Sequence, residues 1–437
     1  MTASSEAFLD SESNRRSVDG ARGLGMLLVI MFHTVFGSAR LLPAERRAEL
    51  LAAFPDGLSI AWQALGSEIV FLFSAFLLGL LLLRELETRG AIDVGDFYLR
   101  RVARILPLYA LALVLYAPFS HADARDTVLN LLFVSRLFGA KTIIPVGWSL
   151  EVLMQVYVLL PFVVAGLIKS GRPIAVLLTA IVVCLGARFA ALAADPQNYG
   201  PLFEVLLGNA ASGTQEDLYY LLGYRATPFL LGLLLAYGVS AHQPALTRLF
   251  ARSSVTLGVM LLSLLLIAGS GFLPLHDRAS WLYAVTSHQF WLWFWTLQRF
   301  VFAAGLCALM LCIWYGRALW LAPFRWLLTG RLLGLVAHDI YAIYLFHIAL
   351  LLPAAAIVLR TTSSDGIERI GTLEIASIFA LGTALSLAVG RLLTAYVEAP
   401  ARRWLKSRAA RWRGRWVVGR SGRRTRSYPE TPESRVE

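Results

Sequence analysis

The sequence predicts an all-α, polytopic integral membrane protein with about ten transmembrane helices, and three observations carry that prediction. Of 437 residues, 57% are hydrophobic and only 16% are charged, with a mean hydropathy of +0.64, which excludes an ordinary soluble globular chain. The apolar residues fall into blocks of about 17–25, the length that crosses a hydrocarbon core of roughly 30 Å. Basic residues gather in alternate connecting segments. Placing the N-terminus in the cytoplasm makes both termini cytoplasmic, and that side then holds 27 of the 40 Lys and Arg residues against 10 outside, as the positive-inside rule requires. The net charge of +12 therefore reports membrane topology, and a nucleic-acid partner is not expected.

The expected spans are 22–39, 58–83, 105–120, 147–168, 174–193, 223–240, 255–273, 291–315, 334–358 and 372–396. Residues 1–20 read as a polar cytoplasmic leader without a convincing cleavage signature. Residues 21–400 read as the transmembrane domain, and 401–437 as a basic cytoplasmic tail. The first half of that tail carries tryptophans among arginines and is expected on the anionic leaflet; its polar end is expected to be disordered. Cys184, Cys307 and Cys312 all fall within apolar blocks, so no disulfide framework is indicated. The multi-pass chain is expected in the inner (cytoplasmic) membrane, with the lipid bilayer as its first partner; the oligomeric state is left open.

The first span reads RGLGMLLVIMFH from Arg22 to His33. Eleven residues of helix separate the two by roughly 16 Å, so an arginine at one membrane face puts the histidine near the bilayer centre. An ionisable group at that depth is a functional candidate. In the second span Glu68 is the one early charge; it either marks the outer interface or pairs with His33, holding the imidazole in one tautomer. Ser74 in the same span reads as a packing serine.

The third block opens FYLRRVARILPLY (97–109). Arg100 and Arg104 stand at i, i+4 and share a helical face, with Arg101 beside them. Alone, these arginines anchor a helix. Together with Arg22 at the same level they make a site for a phosphorylated ligand, because the guanidinium fork binds phosphate bidentately. The piece 127–139 is apolar, short and interrupted by Arg136, and reads as re-entrant or interfacial.

The fourth span opens on Trp148, Ser149 and Glu151, which either face a cavity or mark the interface. The loop 194–222 is the longest outside segment, with Asp195, Glu204, Glu216 and Asp217. The aromatic run 281–295 reads as an interfacial belt. In IYAIYLFH (340–347), Tyr344 and His347 are candidates for the same cavity, or His347 simply bonds between helices. VEAPARRWL (397–405) reads as a helix end and a basic anchor. No metal-ligand spacing is seen.

Taken in order, VDGARGLGMLLVIMFH, EIVFLFSAFLL, FYLRRVARILPLY, WSLEV, IYAIYLFH and VEAPARR resemble the acyltransferase 3 family of integral-membrane acyltransferases over 18–405. The resemblance implies transfer of an acyl group, acetyl in the first instance, from cytoplasmic acyl-CoA as co-substrate to a hydroxyl of a carbohydrate-containing acceptor. It implies that Arg22, Arg100, Arg101 and Arg104 hold the coenzyme A phosphates. His33 would be general base or acyl carrier, oriented by Glu68, and no metal is required. Two positions depart from the family's pattern. Phe73-Ser74-Ala75-Phe76 stands for the usual Leu-Ser-Gly-Phe, and Leu153 stands where the family commonly has a glutamate. Glu151, two residues earlier, lies about 200° around the helix from that position. A transporter using the same midplane groups and a catalytically silent relative are the rival expectations.

Overall fold

The structure, a computed structural model, describes residues 8–52, 60, 63–194, 218–273, 281–362, 367–409 and 417–419. Most of the loop 194–222 and the polar end of the tail lie outside the described residues, as does most of the expected start of the second span.

Among the described residues, ten helices are long and apolar enough to cross a membrane. In chain order they are α1 (Glu12–Leu41), α2 (Gly66–Arg89), α3 (Val94–Ser120), α4 (Gly147–Lys169) and α5 (Pro173–Ala194). They continue as α6 (Thr227–Phe250), α7 (Ser253–Gly271), α8 (His288–Tyr315), α9 (Ile340–Leu359) and α10 (Thr372–Leu393). The chain is thus the all-α, polytopic membrane protein that its hydropathy predicts.

The ends of the helices differ from the apolar blocks, and local chemistry explains how. α1 starts ten residues before Arg22 because Ser11 caps it, its hydroxyl accepting from the Asn14 amide at 3.4 Å and satisfying a donor that a helix start leaves orphaned. The second half of the polar leader is therefore helical. α3 likewise starts at Val94, where the Asp93 carboxylate accepts from the Asp96 amide at 3.0 Å, so the arginine motif lies wholly within a helix. α2 starts later than its apolar block. The Gln63 side-chain amide just before it donates to the Gly271 and Leu273 carbonyls at 2.9 and 3.3 Å, which ties this entry to the end of α7. The ninth block divides at Asp339 into a short helix, Arg331–His338, and α9. α6 runs on to Phe250 through a kink at His242 (φ −123°), two residues before Pro244.

α2 is the central helix, packed on α1, α6 and α8. Glycine makes two of these approaches possible. A Cβ at Gly66 would meet the Gly25 carbonyl of α1 at 2.5 Å, and one at Gly232 of α6 would collide with the Leu72 carbonyl of α2. The outermost helix, α5, leaves Val182 and Val183 more than 60% exposed, an apolar face suited to lipid tails.

The piece 127–139 does not span. It forms a helix, Ala124–Leu131, closed by an Asp123/Asp126 capping box, then a tight turn at Arg136–Phe138. After α10 the chain passes through a π-helical turn, Thr394–Glu398, into Ala399–Ala409, which packs along α3. The short strands β1 (Ala91–Asp93) and β2 (Val417–Gly419) pair antiparallel, Ile92 opposite Val418.

Candidate active site

A cavity of about 200 Å³ opens between α1, α2, α3, α4 and α9. At one end it is lined by Arg22 from α1 and by Arg101 and Arg104 from α3. Arg22 is held from the side by Asp19 at 3.2 Å. The Arg101 guanidinium lies over the rings of Phe97 and Tyr157, at 5.8 and 5.9 Å. The Nε atoms of both Arg22 and Arg101 are buried without a hydrogen-bond partner. Such donors are costly in an apolar surround, and they suit an anionic ligand.

The fourth expected arginine is elsewhere. Arg100 pairs with Asp96 one turn earlier and does not line the cavity. On a helix that begins at Val94, the face shared by Arg101 and Arg104 is turned inward, and Arg100 is turned aside.

The walls are apolar, from Val70, Leu77, Leu78 and Leu81 of α2 to Ile105 and Leu153. Leu153 thus puts a hydrocarbon chain into the cavity where the resemblance would put a carboxylate. Ser67 and Ser149 lie at the far end with Tyr344. The Ser149 and Tyr344 hydroxyls share a 2.5 Å hydrogen bond. Ser67 to Leu81 is fourteen residues, so the cavity follows α2 for roughly 21 Å.

His347 is one turn beyond Tyr344 on α9 and fully buried, its ring 5.9 Å from that of Tyr344. Neither His33 nor His347 lines the cavity itself; Tyr344 is the side chain that touches both the cavity and the pair. The two imidazoles meet, with Nε2 of His347 3.1 Å from Nδ1 of His33. Nδ1 of His33 is also 2.9 Å from the Val29 carbonyl, and Nδ1 of His347 is 2.8 Å from the Tyr344 carbonyl. A carbonyl can only accept, so both Nδ1 atoms carry the proton in this network. The one Nδ1–H of His33 is then shared between the Val29 carbonyl and Nε2 of His347. Nε2 of His33 is left with its lone pair.

The expected pairing of Glu68 with His33 is not what the structure has. Glu68 is buried completely, and its Oε1 takes Arg225 at 2.8 Å and Arg299 at 2.5 Å. A buried carboxylate is held far better by two guanidiniums than by a neutral imidazole. Arg225 also donates to the Ser67 hydroxyl at 3.0 Å. His33 is oriented instead by His347.

Of the other candidates, Trp148 and Glu151 do not line the cavity. Trp148 packs on Tyr219 and Phe71 and lies over Arg225 at 5.3 Å. Glu151 binds the Ser135 hydroxyl and accepts from the Arg136 amide at 3.0 Å, so it docks the short 124–138 segment against α4. Sequence reasoning missed Arg225 and Arg299 as partners of Glu68. The available signal was that Arg299 is a lone charge inside an apolar block, which needs a partner. Among the described residues no three His, Cys, Asp or Glu side chains converge as a metal site would require.

The profile of the acyltransferase domain family matches residues 15–391, most of the chain. The chain belongs to the acyltransferase 3 family. Its curated relatives include the "Putative peptidoglycan O-acetyltransferase YrhL" of Bacillus subtilis (strain 168), 26% identical over 224 residues, which are 44% of this chain and 32% of the relative. The match therefore takes in about a third of that relative's length. No solved structure matches.

Proposed function

We propose that this protein is an inner-membrane O-acyltransferase that moves an acyl group, most simply acetyl, from cytoplasmic acyl-CoA to a hydroxyl of a glycan, a lipid-linked glycan precursor or a glycosylated metabolite. One observation carries the reading. Three arginines from two helices converge on one end of a cavity whose other end, at Tyr344, lies one helical turn from His347, the hydrogen-bond partner of His33. Arg22, Arg101 and Arg104 would take the phosphates of coenzyme A, the buried Nε donors of Arg22 and Arg101 finding the acceptors they lack.

The thioester arm would lie along the apolar wall of α2. Nε2 of His33 would accept the acceptor's hydroxyl proton as its oxygen attacks the thioester carbon; the thiolate then leaves, taking up a proton. His347, accepting from Nδ1 of His33, would hold that tautomer and share the positive charge that develops. The alternative order, in which His33 itself carries the acyl group, uses the same lone pair. The O-acetyltransfer named for the relative supports a hydroxyl acceptor.

Labelled acetyl-CoA and longer acyl-CoAs, offered to purified protein in nanodiscs, test the reading. Wild type should bind and turn over one of these thioesters, His33→Ala should bind without turnover, and Arg22→Ala should lose binding. A folded wild type that binds none of them would overturn it in favour of a transporter or a silent relative.

A further inference from the structure

Beyond the arginines that line the cavity, a second set of guanidiniums gathers behind Ser67, which lines its far end. Arg225 and Arg299 both bond one oxygen of Glu68, and the three residues are 1%, 7% and 0% exposed. Nε and Nη1 of Arg225 and Oε2 of Glu68 are buried and bond to nothing. Arg188 of α5 adds a third guanidinium to the same field, donating to the Trp295 and Leu218 carbonyls at 3.0 Å each. The charges that act on it are Arg225, Arg299 and, opposing them, Glu68. The faces of Trp148 and Tyr219 cover Arg225 at 5.3 and 5.0 Å.

A structural ion pair needs one cation for one carboxylate. Here, among the described residues, two guanidiniums bond one oxygen of the carboxylate, a third is near enough to interact with all three charges, and the most buried keeps two donors unused. Uncompensated charge in so dry a place is expensive. A bound anion would remove that cost. Chemistry and position both narrow what it is. Planar N–H forks match an oxyanion, and the cluster adjoins Ser67 at the end of the cavity far from Arg22, Arg101 and Arg104.

We propose that Arg225 and Arg299, with Arg188 behind them, form an anion subsite that takes a carboxylate or phosphate group of the acyl acceptor. Assigning the anion to the acceptor rests on the acyl-transfer reading above; the anion subsite does not. Trp148 and Tyr219 would bound the group, and Glu68 holds the two forks in place while weakening their grip enough for release.

The test uses the full chain in nanodiscs, with thermal unfolding followed as inorganic phosphate, lactate or the neutral ester methyl lactate is added at matched ionic strength. Phosphate tests one oxyanion and lactate the other. We expect at least one of the two anions to raise the midpoint of wild type, and methyl lactate not to. Arg225→Gln should weaken that anion roughly tenfold or more, whereas Glu68→Gln, which removes the competing carboxylate, should tighten it. A structural ion pair predicts no anion effect and no opposition between the two variants. If Glu68→Gln does not fold, Arg225→Lys, which keeps the charge and loses the fork, should bind between wild type and Arg225→Gln. The subsite is overturned if neither anion stabilises wild type, or if the stabilisation is lost in Arg101→Gln and kept in Arg225→Gln. With the subsite in hand, Arg225→Gln should raise KM for an anionic acceptor at least tenfold more than for the neutral ester of that acceptor. An equal rise for the anionic acceptor and its neutral ester would instead overturn the assignment of the anion to the acceptor.

Discussion

His33 and His347 stand 314 positions apart in the chain and share a 3.1 Å hydrogen bond between helices α1 and α9. Each is also fixed by a carbonyl of its own helix. With the Nδ1 proton of each ring directed at these carbonyls, the uncommitted lone pair of the two rings is on Nε2 of His33.

From this follows an ordered pair of effects. His33→Ala should lower thioester turnover by roughly 10²–10⁴-fold, the usual worth of a general base. His347→Ala, which removes only the group that orients the base, should cost about 10–100-fold. Turnover at saturating acyl-CoA checks both; equal losses would point to two groups acting on the substrate.

The arginine motif should divide by which residues reach the cavity. Arg101→Gln and Arg104→Gln should each raise the KM for acyl-CoA by roughly tenfold, the worth of one charge-assisted hydrogen bond. Arg100→Gln, whose partner is Asp96, should change it by less than about twofold, as an exposed helix ion pair is worth little. Steady-state kinetics on the three variants decides.

Gly232→Ala should destabilise the bundle, because its new methyl meets the Leu72 carbonyl on α2. Overpacking of this kind costs about 1–3 kcal/mol. A lower unfolding midpoint in detergent, with Gly238→Ala unaffected in its open surround, is the expected result.

Glu151→Ala should free the 124–138 segment while leaving the cavity intact. It strips the acceptor from the buried Ser135 hydroxyl and the Arg136 amide, at about 1–3 kcal/mol for each group left unsatisfied. Hydrogen exchange across 132–140 should rise by tenfold or more, with exchange in α9 unchanged.

How much of this was legible beforehand depended on the range of the interaction. The ten spans and the Arg22–His33 spacing are properties of single helices, and hydropathy with a 1.5 Å rise suffices for them. The inward face of FYLRRVAR needed one more fact, where the helix starts, and that is decided by the cap at Asp93. The partners of Glu68 were out of reach. Arg225 and Arg299 come to it from the short turn Leu222–Arg225 before α6 and from the middle of α8, and no local pattern records which helices meet. The same holds for His347, whose proximity to His33 depends on the packing of α9 against α1.

α1 is one unbroken helix from Glu12 to Leu41, and this makes it a ruler. The roughly 16 Å between Arg22 and His33 cannot shorten without breaking backbone hydrogen bonds. Under the proposed reaction, the donor itself has to span that length between its phosphate and its reacting carbon. An acyl phosphate, with the two only one oxygen apart, falls far short; a nucleotide thioester on a long arm does not. In that reaction the helix would select the donor by reach.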